Sequence, residues 1–161
     1  MTERSLTVTW QDPTELAGRA RSGTGLEFLQ AIISGQLPKA PIQELLGFEL
    51  EEAEQGRVVF SLEPGEQHYN PIGSVHGGVA ATLLDSAMGA AVHSTLPQGS
   101  GYATLEIKFN LVRAITADTG RVVAEGKLIH AGKTVATVEA SLHAAADAKL
   151  LAHGTSTCLI R

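Results

Sequence analysis

The residues best able to do chemistry crowd into one stretch, 70–85, which reads N-P-I-G-S-V-H-G-G-V-A-A-T-L-L-D. His76-Gly77-Gly78 opens what reads as a helix. The first amides of a helix lack intrahelical acceptors, and the aligned peptide dipoles make that end positive. Glycines let a ligand come close to the backbone. Such an end could hold the oxyanion formed when a thioester carbonyl is attacked. The same glycines could equally serve close packing against a strand. Asp85 falls in the middle of that helix among Leu84, Ala87 and Met88, with no Lys or Arg within a turn to pair it. An ionised carboxylate on an apolar face is costly unless paired or placed at a cleft. Asp85 therefore points into an active cleft, the favoured reading, or into solvent. Asn70 is an ordinary turn residue before Pro71, and its amide could also orient a water molecule or a substrate carbonyl.

Spacing adds a constraint. His76 and Asp85 are nine residues apart, about 13.5 Å along a helix, and nine residues also turn the side chain to the opposite face. The helix start and Asp85 of one chain cannot both reach the same thioester carbon. If both are catalytic, two antiparallel helices related by a two-fold axis must bring Asp85 of one chain to the Gly77 end of another. The motif itself therefore predicts a homo-oligomer, at least a dimer.

The elements that must hold these groups follow from periodicity. Val79, Leu83, Ala87 and Ala90 are at helical spacing, which predicts one long helix from residue 75 to about 96, ended by Pro97, Gly99 and Gly101. Strands are predicted over 48–54 and 57–62, joined at Gln55-Gly56. Four more follow the helix, over 102–112, 121–130, 134–144 and 150–160. Short turns link these four, which predicts antiparallel pairing. Upstream, Asp12, Pro13 and Glu15 resemble a capping box with proline at the first helical position, and Thr24 with Glu27 repeats the signal. A short helix over 41–46 would close at Gly47. The whole reads as an α+β fold: an antiparallel sheet wrapped around one long central helix (residues 46–161), preceded by an N-terminal helical leader (residues 1–45).

Composition narrows the function. A chain of 161 residues, 43% hydrophobic and 18% charged, suits one globular core. The net charge of −5 and the lack of any basic run argue against a nucleic-acid partner. Apolar runs of only a few residues argue against a membrane span, and residues 1–20 lack a signal-peptide core. A single cysteine, Cys158, leaves no internal disulfide framework and reads as a buried small hydrophobe. These features together predict a cytoplasmic location.

The stretch 70–85 resembles the signature of hotdog-fold acyl-CoA thioesterases, in particular the phenylacetate-degradation (PaaI-like) branch of the 4-hydroxybenzoyl-CoA thioesterase superfamily. The matching positions are Asn70, Gly73, His76-Gly77-Gly78 and Asp85. By strand order the resemblance runs from about Leu46 to the C-terminus, with the first 40 residues outside the core. It implies an acyl-CoA substrate, with coenzyme A part of the substrate and no separate cofactor. It further implies Asp85 as general base or nucleophile, the Gly77 amide as oxyanion donor and His76 as an aid in placing the thioester. Asn70 would position water or carbonyl. Thr104 matches a Ser or Thr that supports the attacking water, with its register set only to within about one residue. Gly132-Lys133-Thr134 would border the coenzyme A path. Family members commonly assemble as dimers or as tetramers built from two dimers.

Other constellations carry less. Ser74, His76 and Asp85 might suggest a nucleophilic triad, but no G-x-S-x-G elbow is present and the helix spacing separates His76 from Asp85. His68, His93, His130, His143 and His153 show no zinc-site spacing, which predicts no metal. Two readings compete with hydrolysis: a non-catalytic acyl-CoA binding module, and a dehydratase or other non-hydrolytic enzyme of the same fold. Asp85 separates the first from hydrolysis, because a pure binder gains nothing from an unpaired carboxylate beside a thioester.

Overall fold

The computed structural model describes residues 2–161. Six strands, β1 (Phe48–Glu54), β2 (Arg57–Leu62), β3 (Tyr102–Leu111), β4 (Val122–Ala131), β5 (Val135–Ala144) and β6 (Leu150–Ile160), form one antiparallel sheet in the order β1-β2-β4-β5-β6-β3. The helix α4 (Gly77–His93) lies against this sheet and touches β1 to β6. Its Leu83, Leu84, Ala87, Met88, Ala91 and Val92 are fully buried. The small residues on that face let the sheet come close. An added methyl on Gly126 of β4 would sit 2.2 Å from the Ala87 carbonyl oxygen, which is backbone and cannot step aside. Gly126→Ala is therefore expected to destabilise the protein by about 1–3 kcal/mol or more, read as a lower urea midpoint.

The sheet order corrects one expectation. Short turns suggested that β3 pairs with its neighbour in sequence, β4. Instead residues 112–121 carry the chain across the sheet, and β3 pairs with β6, Tyr102 opposite Ile160 and Leu111 opposite Ala152. The pairing slips between Thr104 and Glu106, so Leu105 is a bulge residue. As a result β3 is an edge strand, with Leu105 and Leu111 more than half exposed.

The long helix is shorter than its apolar pattern. Val75 and His76 are extended, because the Val75 amide donates to Ile115 and the His76 amide to His68. At the other end Thr95 and Leu96 tighten into bonds three residues back, and the Ser94 hydroxyl accepts the Gly56 amide of the β1–β2 turn. The helix thus stops at His93, four residues before Pro97.

The leader forms α1 (Pro13–Arg19), α2 (Gly25–Ile33) and α3 (Pro41–Leu46). The Thr24–Glu27 capping box forms with both arms, and the Thr24 amide holds the Glu27 carboxyl below its ordinary value. The expected box at α1 is only half made: Asp12 accepts the Thr14 amide at 2.8 Å and Glu15 does not reciprocate. The first 40 residues, expected to lie outside the hotdog core, pack against its apolar cluster. Leu29 is buried in the main apolar cluster, Phe28 and Ile32 pack against it, and the Gly25 amide donates to the Leu96 carbonyl. Gly25 is required there, because a side chain would strike the His93 carbonyl. No helix among the described residues is long and apolar enough to cross a membrane.

Candidate active site

Asp85 lies on the solvent side of α4. Its carboxylate accepts a hydrogen bond from the Thr104 hydroxyl of β3 at 3.1 Å. The sheet order explains the contact, since β3 can reach the helix flank only from the β6 edge. The Leu105 bulge sets which β3 side chain faces the carboxylate. Asp85 forms no ion pair with any described residue. Within one chain it is exposed rather than sunk in a cleft, so the desolvated carboxylate expected from the helix pattern is absent at this level of assembly.

The helix start holds a second set of groups. The His76 ring caps α4, its Nδ1 accepting the Gly78 amide at 2.9 Å. A neutral imidazole that accepts at Nδ1 carries its proton at Nε2, where it can donate. The Val79 amide turns back to the His76 carbonyl. With Gly78 and Val79 so engaged, the Gly77 amide has no acceptor among the described residues. It opens on a cleft of about 230 Å³ bordered by His76, Leu111 and Arg113.

Asn70 is held within its own loop. Its Oδ1 accepts the amides of Ile72 and Ser74, and its Nδ2 donates to the Ser74 hydroxyl. These bonds shape the 70–74 loop that leads into the helix start. Gly73 in that loop has a φ of 89°, which glycine adopts without strain.

The structure sorts the anticipated residues into two groups. Thr104 and Asp85 meet, and the exposed Gly132-Lys133-Thr134 turn lies at their end of the sheet. Thr104 faces Cys158, Cys158 faces Ala136, and Ala136 faces Ala131, the residue before the turn. Asn70, His76 and Gly77 lie at the other end, beside Leu111 at the far end of β3. Cys158 is fully buried, and burial pushes its thiol up, away from nucleophile chemistry.

Sequence reasoning missed a cavity of about 360 Å³ between the leader and α4, reached by Ser86, the residue after Asp85. Tyr102 lines it, its phenol pushed up by burial and by the Asp85 charge. His93 also lines it, wedged against the rings of Phe28 and Tyr102. No periodicity could show this cavity, because its walls come from elements far apart in sequence. Burial holds the His93 imidazole below its ordinary value. The unfolded chain protonates this histidine at about pH 6.5, before the folded chain does. Stability should therefore fall as pH drops through and below about 6.5, and His93→Phe should flatten that slope in thermal melts.

A six-stranded antiparallel sheet packed on one long central helix is the hotdog fold. Comparison with known proteins agrees. The model of the thioesterase superfamily matches residues 72–150. The 1,4-dihydroxy-2-naphthoyl-CoA hydrolase of Listeria monocytogenes is 32% identical over 93 residues, 58% of this chain and 74% of that one. Human acyl-coenzyme A thioesterase 13 is 29% identical over 131 residues, 80% of this chain and 91% of its own. The crystal structure of a phenylacetic acid degradation-related protein from Ralstonia eutropha superposes with a TM-score of 0.72 at 26% identity, covering 81% of this chain and 98% of that one. The chain belongs to the thioesterase superfamily, as an enzyme of thioester hydrolysis.

Proposed function

We propose that this protein hydrolyses an acyl-CoA thioester to the free acid and coenzyme A, in a site built from two chains. One chain supplies Asp85 and Thr104, and the other supplies the Gly77 helix start with His76. The observation that carries this reading is the pairing of Asp85 with Thr104 at one end of the fold while the free Gly77 amide opens at the other. Superfamily membership supplies the reaction class. The exposed edge strand β3, with Leu105 and Leu111 on it, supports assembly through that edge, because a long apolar edge is a ready template for a second chain.

In the base route, Asp85 takes a proton from a water held by Thr104, and the water oxygen adds to the thioester carbon. The carbonyl oxygen becomes an oxyanion against the Gly77 amide, aided by His76 Nε2–H and the positive helix end. Collapse breaks the carbon–sulfur bond, and the thiolate of coenzyme A takes up the proton. In the nucleophile route, an Asp85 oxygen adds to the same carbon, the carbon–sulfur bond breaks to release the coenzyme A thiolate, and water then cleaves the resulting anhydride to the free acid and the Asp85 carboxylate, with the second water proton going to the thiolate. The Gly132-Lys133-Thr134 turn borders the coenzyme A path, where Lys133 offers a charge to phosphate. The test pairs two measurements: thiol release from a panel of aromatic and aliphatic acyl-CoAs, and sedimentation mass at micromolar concentration. Turnover by an assembly of at least two chains is expected. A fully active monomer would sink the shared site.

A further inference from the structure

Asp85, Gly89 and His93 form one stripe of α4, each a turn after the last. Tyr102 and Thr104 share the face of β3 that meets this stripe, because side chains two apart in a strand point the same way. Thr104 meets Asp85. Tyr102 meets the next two turns: its ring centre is 5.7 Å from that of His93, and its hydroxyl oxygen is 2.4 Å from where a Cβ on Gly89 would sit. Gly89 is therefore a notch, and the phenol oxygen occupies the space of the side chain missing there. That oxygen bonds to no described residue, yet it is not sealed from solvent as the ring nitrogens of His93 are. Tyr102 and Ser86 both line the cavity that starts beside Asp85. Burial and the Asp85 charge keep the phenol protonated, so it hydrogen-bonds but cannot serve as a base. From Asp85 to Gly89 is about 6 Å along the helix, the span of one water with two hydrogen bonds of about 2.8 Å.

We infer that Tyr102 is a further catalytic residue: its hydroxyl donates to the water that Asp85 activates and fixes how that water is turned. The inference rests on the acyl-CoA hydrolysis proposed above, with Asp85 as the base. An attacking water gives one proton to the base and aims one lone pair at the thioester carbon. Those two contacts leave its other proton and its other lone pair unheld, and a water free to turn reacts less often. The Thr104 hydroxyl spends its own proton on Asp85, so its oxygen is left to accept the second water proton. The remaining lone pair needs a donor, and the Tyr102 O–H supplies it. No proton passes to or from Tyr102, so the balance of the reaction is unchanged.

The experiment measures kcat and KM by thiol release, on the best substrate of the aromatic and aliphatic acyl-CoA panel. Tyr102→Phe removes only the hydroxyl and should lower kcat about tenfold, the worth of one hydrogen bond, with KM little changed. In the Asp85→Asn background the same substitution should cost nothing further, because the water is no longer activated there. A rescue then moves the hydroxyl from the strand to the helix. In Gly89→Ser with Tyr102→Leu, leucine vacates the notch and serine places a hydroxyl beside the vacated position. Its kcat should stand about tenfold above that of Gly89→Ala with Tyr102→Leu, which fills the same notch without a hydroxyl. A packing role for Tyr102 predicts equal kcat in these two. If the double variants fail to fold, Tyr102→Phe with and without Asp85→Asn decides. Unchanged kcat in Tyr102→Phe, a further loss in the Asp85→Asn background, or equal kcat in the serine and alanine variants would overturn the inference while leaving hydrolysis in place. Failure of the intact protein to cleave any acyl-CoA would overturn the hydrolysis itself, and this inference with it.

Discussion

Asp85→Asn is expected to lower kcat by ~10²–10⁴-fold with KM little changed, the range typical of a lost general base or nucleophile. The carboxylate makes one hydrogen bond, from Thr104, and the asparagine carbonyl oxygen can still accept it. Shape and contact survive while basicity is lost, so the effect should fall on the chemical step. Folding should be little affected, because within one chain the carboxylate is exposed. Removing a desolvated charge would raise stability, but within one chain this carboxylate is in contact with solvent. Any gain must now come from the assembled interface, and would show as a concentration-dependent rise in melting temperature. Thr104→Val provides the contrast: it removes the donor but keeps the charge, and should cost only about tenfold, the worth of one hydrogen bond to a charged group. Turnover in Asp85→Asn equal to that of the intact protein would remove this residue from the mechanism.

Gly77→Pro is expected to lower kcat by ~10²–10³-fold, the scale of losing one oxyanion donor. The backbone tolerates proline at this position. Gly77 is the first helical residue, and His76 before it has φ −61° and ψ 133°, the extended conformation that a residue preceding proline prefers. The new ring would press on the Leu111 methyl, 2.6 Å from an added Cβ, but Leu111 is exposed and can rotate away. The decisive experiment mixes the two variants. A heterodimer of Asp85→Asn and Gly77→Pro chains holds one site with an intact Asp85 facing an intact Gly77, and one site with neither. Subunit exchange should therefore restore up to half the activity of each such dimer, from two nearly inactive parents. Confirmed exchange with no recovery would place both groups in the same chain's site, against the spacing along α4.

Much of this enzyme was legible in its sequence. Local rules determine the long helix, the six strands and the motif on 70–85: apolar period, glycine and proline punctuation, and the Thr24–Glu27 capping signal act between residues close in sequence. The spacing of His76 and Asp85 on one helix already separated the two halves of the site, because helical rise and rotation are the same in any fold. The tertiary structure alone decided what depends on distant segments meeting. Strand β3 lies beside β6 rather than β4, since antiparallel pairing is won by total burial and not by the nearest turn, and only that placement brings Thr104 to Asp85. The Leu105 bulge shifts register by one residue, which no alternation pattern records. Asn70 had two plausible uses, and loop closure took its hydrogen bonds. His93 and Gln43 read as unremarkable in the chain. They are buried polar residues because the leader packs over α4, removing water from their polar atoms and supplying no partner among the described residues.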